Sequence, residues 1–189
     1  MFRLTKTITS LTLALCLSLP ISAQNAPSEE DRERAMEGMS FMLRRAEFVR
    51  LLAAEHLGYL NANRDKAAFF TLEEASQVMA YNLICEDDTM EPRQLNNIAA
   101  QTTLQVSLLM ESSPAGKTMA ETIKSMDPAA RLELVADVST AVLMFKIGRR
   151  RGLFDALLTD FGNKRFCTGM GADMRRRYNG LVANLPTEE

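Results

Sequence analysis

The stretch DPAARLELVADVSTAVLMFKIG, residues 127–148, carries a start signal and a stop signal for one helix. Asp127 suits the N-cap, because its carboxylate can accept from the free N–H groups of the first turn. Pro128 follows at N1, where a missing N–H costs nothing. Gly148 closes the pattern. Leu134, Val135, Val138, Ala141, Val142 and Phe145 fall on one face at a period of 3.6. Ala136, Leu143 and Ile147 form a second apolar strip on roughly the opposite side. Ser139 and Lys146 separate the strips on one flank; Glu133, Asp137 and Thr140 separate them on the other. A helix apolar on two sides is covered on two sides. The segment therefore predicts the central helix of a bundle.

The rest of the sequence agrees. The chain has 189 residues, 47% of them hydrophobic, with 9 Gly, 6 Pro and no Trp. Abundant Ala, Leu, Met, Glu and Arg favour helix over strand. The expectation is an all-α, compact, bundle-like domain of six or seven helices spanning residues 24–189, which is enough chain to bury a core. No linker divides it, and no internal repeat or low-complexity tract appears.

Residues 1–23 read differently. Arg3 and Lys6 make a short basic start, Ile8 to Leu19 is moderately apolar, Pro20 breaks the run, and Ser22-Ala23 offers small residues. This is the layout of a signal peptide cleaved after Ala23. The run is too short and too rich in Ser and Thr for an anchor. Leu15 before Cys16 departs from a lipobox. The expected location is therefore periplasmic or secreted, with no transmembrane segment in the mature chain.

That chain keeps Cys85 and Cys167, an even pair that in an exported protein reads as a disulfide. Two free thiols or a soft-metal pair are the alternatives. The bridge would bring Glu86, Asp87 and Asp88 near Lys164 and Arg165, and near Arg175 to Arg177. Charge favours such an electrostatic seam. Residues 24–112 hold 15 acidic and 8 basic side chains, net −7; residues 113–189 hold 9 and 12, net +3. Separate solvated loops are the plainer alternative.

The remaining helices follow from local signals. Ser28 to Asp31 resembles a capping box opening a helix to about Leu60, with Gly38 and Gly58 as kink points. Its apolar line runs Met39, Met42, Leu43, Ala46, Val49, Ala53, Leu57, Leu60; Phe41, Phe48 and Leu52 lie off it. Thr71 with Glu74 reads as a capping box for a helix ending near Cys85. Asp88 with Glu91 reads as the cap of a helix opened by Pro92, and Ser113-Pro114 as the start of a short one running to about Met126. Gly162-Asn163 marks a stop. Cys167 is expected in a loop with Gly169 and Gly171, before a last helix from Ala172 to Leu185.

Catalytic signatures are missing. The single His56 stands beside Glu55, but adjacent helical residues point about 100° apart. Neither a metalloprotease, a nucleophile-elbow nor a phosphate-loop motif is present. No cofactor is expected. Glu86 to Glu91 lacks the ordered spacing and central Gly of a calcium loop. Met36, Met39 and Met42 recur every third residue, and thioethers suit Cu(I) or Ag(I). They equally suit core packing or a partner-contact face. Two arginine triplets, 149–151 and 175–177, point to an anionic partner such as a membrane surface. No aromatics interleave with them and the mature chain is net negative, so nucleic acid is not expected. The leading expectation is a non-enzymatic helical binding protein for a protein partner or an apolar ligand. Soft-metal binding is the alternative. An envelope-acting hydrolase using Glu55 or His56 is the third reading.

Overall fold

The computed structural model of the chain describes residues 29–124 and 127–186, apart from the side chain of Asp31. The expected signal peptide, Ser28 and Met126 lie outside these residues. Among the described residues there are six helices and no strand: α1 Glu29–Ala62, α2 Ala67–Cys85, α3 Pro92–Leu108, α4 Pro114–Thr122, α5 Pro128–Phe161 and α6 Asn163–Ala183. The chain divides into two units, residues 1–41 and 42–189.

In the first unit, residues 29–41 are helical and exposed, with Arg34 paired to Glu30 one turn away. Neither Gly38 nor Gly58 interrupts α1.

The second unit holds the core. α2 and α5 pack together, α2 also meets α3 and α6, and α5 meets both as well. The centre is thus shared by two helices rather than held by α5 alone. On α5 the buried residues are Leu134, Val138, Ser139, Val142, Leu143, Lys146, Ile147 and Phe154. The two expected apolar strips therefore join across the Ser139–Lys146 flank into one broad buried face. Ala136 and Phe145 lie outside it, and the Glu133–Asp137 flank faces solvent. From α1, Leu52, Ala53, His56 and Leu60 complete the core.

Several boundaries differ from the sequence reading. α5 passes through Gly148 and Gly152 and stops at Gly162, whose φ of 76° admits few residues but glycine. Each internal glycine costs about 1 kcal/mol; burial of Ile147 and Phe154 on either side offsets this. Asp127 precedes Pro128 as expected but makes no side-chain cap. α2 begins at Ala67, a turn before the expected box, and the Thr71 hydroxyl donates to Ala67 O at 3.2 Å instead of capping. The extra turn buries Ala68 and Phe69. Asp88 and Glu91 form no cap; Asp87 instead accepts from Thr89 N and Oγ1 at 3.1 and 2.6 Å. Ser113 does cap α4, accepting from Gly116 N at 3.1 Å. A Cβ on Gly116 would lie 2.0 Å from Met110 O, so α4 needs glycine there to approach the end of α3.

Cys167 lies in helix α6, not in a loop. Phe166 explains this, because it is buried against Phe154 and Tyr81 at ring distances of 5.3 and 6.4 Å and draws the helix start back to Asn163. The Cys85–Cys167 disulfide is present, with Cα atoms 5.6 Å apart and a sequence separation of 82. A double Cys85→Ser, Cys167→Ser variant should lose about 4 kcal/mol of stability on the chain-entropy account. Urea unfolding of oxidised, reduced and variant protein measures this; the reduced protein should match the variant.

His56 is wholly buried. Its Nε2 donates to Val106 O at 3.1 Å, and Nδ1 has no hydrogen-bond partner among the described residues. Burial lowers its pKa below the ordinary 6.5, and the Val106 bond opposes this only in part. A depressed folded value means that the unfolded chain takes the proton first. Stability is full above pH 6.5 and declines as pH falls from there through the folded value. A His56→Leu variant should flatten that limb of a stability–pH curve followed by thermal unfolding.

Candidate functional site

Two features of the second unit stand apart from ordinary core and surface. The first is an ionic cluster under the α2–α5 contact. Lys146 is 5% exposed on α5. A buried ammonium is tolerated only with a partner, and Glu73 on α2 supplies it. The Glu73 carboxylate accepts from Lys146 Nζ through one oxygen and from Arg150 Nη2 through the other. Lys146 also donates to Asn61 Oδ1 at 3.3 Å and stands 5.2 Å from the centre of the Phe69 ring. Burial pushes the Glu73 carboxyl up, but the hydrogen bonds and charges of Lys146 and Arg150 outweigh it and hold it below its ordinary value. The cluster floors a cleft of 440 Å³. Helical periodicity alone gave no reason to choose Lys146 over the other polar flank of α5. The useful signal was a Lys inside an apolar run, four residues before Arg150.

The second feature is an apolar groove of 520 Å³ between α1 and α5. Met42, Ala46 and Val49 line one side; Ala141, Met144 and Phe145 line the other. Met42 is 71% exposed and Met144 58%. Arg45 crosses between the helices to Asp137 at 2.7 Å, with Glu133 at 3.9 Å. The rim charges thus satisfy one another.

Other expected residues fall as follows. Met36 and Met39 in the first unit are 67% and 61% exposed. Met36, Met39 and Met42, as well as Leu43, are therefore not core, whereas Leu52, off the expected line, is. The seam forms through Arg175, from the expected 175–177 triplet, and not through Lys164 or Arg165. Arg175 Nη1 pairs with Asp87 Oδ2 at 2.8 Å, and Tyr81 Oη reaches Asp87 Oδ2 at 3.5 Å and Cys167 O at 3.2 Å. The Thr89 hydroxyl first, then the Thr89 amide and Arg175, lower the Asp87 pKa against the opposing effect of burial. Glu86, Asp88, Lys164 and Arg165 are exposed. Among the described residues no ion pair joins Lys164 or Arg165 to the acidic loop; Arg165 lies 5.7 Å from the Phe161 ring instead. Helix geometry explains why Arg175 is the partner: α6 starts at Asn163, and its Arg175 lies two turns beyond Cys167, on the side that faces Asp87. Glu55 is exposed, and no ionisable side chain among the described residues hydrogen-bonds His56. The described residues hold no group of three His, Cys, Asp or Glu placed for a metal ion.

Glu73→Gln strands Lys146 in the core and should cost about 3 kcal/mol. A Glu73→Leu, Lys146→Met pair removes both charges and should recover most of it. Because the folded Glu73 value is depressed, its contribution is full above the ordinary 4.5 and is lost as pH falls through the folded value. The wild type and Glu73→Gln should therefore converge in stability in acid, as chemical unfolding at stepped pH would measure.

Compared with known protein families, curated proteins and solved structures, the chain has no significant match.

Proposed function

We propose that this chain is an exported, non-enzymatic helical binding protein that docks an amphipathic helix of a protein partner in the α1–α5 groove. One observation carries the reading: an apolar groove, walled by Met42 and Met144, leaves large hydrophobic side chains open to solvent between α1 and α5. Large exposed apolar surface marks interaction sites. A trough between two helices fits the apolar face of a third, as in helix-in-groove recognition. Methionine on both walls adapts to varied side chains. The Arg45–Asp137 pair leaves the rim near neutral, which suits an apolar rather than a highly charged occupant. Export rests on the signal-like residues 1–23 and is supported by the disulfide. No described helix is long and apolar enough to cross a membrane.

The exposure of all three thioethers supports a second reading, Cu(I) or Ag(I) binding through Met36, Met39 and Met42. Catalysis by Glu55 or His56 gains no support, since His56 is sealed in the core.

A photo-crosslinking residue placed at Met42 and, separately, at Met144 tests the docking reading in the exported fraction. Both positions should trap the same peptide, with apolar residues at i, i+3, i+4 and i+7, and Phe145→Glu should reduce the yield about 10-fold or more. Adducts only to lipid or to a second copy of the chain would overturn it.

A further inference from the structure

We infer that the cleft over the Glu73–Lys146–Arg150 cluster is a binding site for a small amphiphilic anion, an oxyanion head on an apolar body. The site lies on a different face from the α1–α5 groove and does not depend on the docking reading. Its charge is one-sided. Arg64, Lys146, Arg149 and Arg150 line it, against the single carboxylate of Glu73. That carboxylate already accepts from two of the four cations. Lys146 spends a second N–H on Asn61, but the Arg150 guanidinium uses only Nη2 on Glu73. Arg64 donates Nε to Asn61 O at 3.1 Å and lies 5.8 Å from the Phe69 ring, leaving both of its terminal nitrogens over. Arg149 is exposed and makes no ion pair among the described residues. The cleft thus has three net positive charges and forked donors in excess, the arrangement that takes a carboxylate or phosphate.

The walls define the rest of the ligand. Phe70 and Leu153 line the same cleft and are 58% and 52% exposed. A cavity of 440 Å³ is within the range of small-molecule sites, which pair apolar walls with a few convergent polar groups. An inorganic ion would leave these two side chains in water; an alkyl or aryl body would cover them. The buried Lys146–Glu73 pair keeps the floor fixed before a ligand arrives, so little ordering is needed on binding.

Calorimetric titration of the full chain with dodecanoate, dodecyl phosphate, acetate and dodecyltrimethylammonium, below their aggregation concentrations, tests the inference. Dodecanoate or dodecyl phosphate should bind at one site, and acetate and the cationic amphiphile should not. An Arg64→Gln, Arg149→Gln variant changes two exposed side chains and should keep its melting temperature while losing about 10-fold in affinity. Phe70→Ala with Leu153→Ala should weaken the amphiphiles by a similar factor. Equal binding of the cationic amphiphile, or unchanged affinity in the arginine variant, would overturn the site. Sedimentation with phosphatidylglycerol vesicles separates the source: binding to vesicles without binding to free dodecanoate would place the anion on a membrane surface and overturn the cleft.

Discussion

A lysine ammonium in the core has one acceptable environment, and this fold is built to provide it. Lys146 is nearly inaccessible, so Glu73 must stand opposite it, and α2 and α5 must keep their register to hold the pair. Much follows from that contact. It decides which polar flank of α5 turns inward. It draws Phe69 beneath the ammonium and lengthens α2 by a turn. It brings Arg150, one turn beyond Lys146, onto the same carboxylate, in a helix that would otherwise be expected to end at Gly148. Replacing such a pair with matched apolar residues is often neutral, whereas removing one partner alone is costly, so the pair's net contribution to stability is small although each member depends on the other.

The same unit shows the opposite treatment of apolar side chains. Met42, Met144 and Phe145 remain at the surface although the helices that carry them contribute Leu52, Ala53 and Val142 to the core. Sixteen large hydrophobics are exposed among the described residues, and the helices α1 and α5 carry most of them. A lone exposed Leu is unremarkable, but a continuous trough between two helices is not. Ionic groups inside and methionines outside leave two concave surfaces of opposite chemistry on one unit, one cationic and one near neutral.

Helix content, the Pro128 and Pro92 starts, the Ser113 cap and the Cys85–Cys167 pairing were all legible, because each rests on local chemistry or on simple cysteine arithmetic. What escaped was the choice between faces. Periodicity placed Met39, Met42 and Leu43 on one line with Ala53 and Leu60, but only tertiary contact determines how far along α1 that line is covered. Glycines at 148, 169 and 171 looked like punctuation; burial of Ile147, Phe154, Phe166 and Met174 outweighed their helix penalty. Tertiary packing also selected among the expected ion pairs. The acidic loop is met by Arg175 rather than by Lys164 or Arg165, since a helix through Cys167 points different residues at it than a loop would. The candidate cleft was visible only as an arginine triplet and an out-of-place lysine. Its other walls come from residues about 75 to 85 positions away in sequence, a separation that no local pattern bridges.

The disulfide joins the last residue of α2 to the first turns of α6, so α3, α4 and α5 all lie within one covalent ring. A protease that cuts the backbone once, anywhere between Cys85 and Cys167, therefore releases nothing. The two fragments stay tethered at high effective concentration and the core can re-form around the nick. In a compartment rich in proteases, such a molecule survives a first cut that would destroy an unringed bundle, and the damage becomes visible as two bands only after reduction.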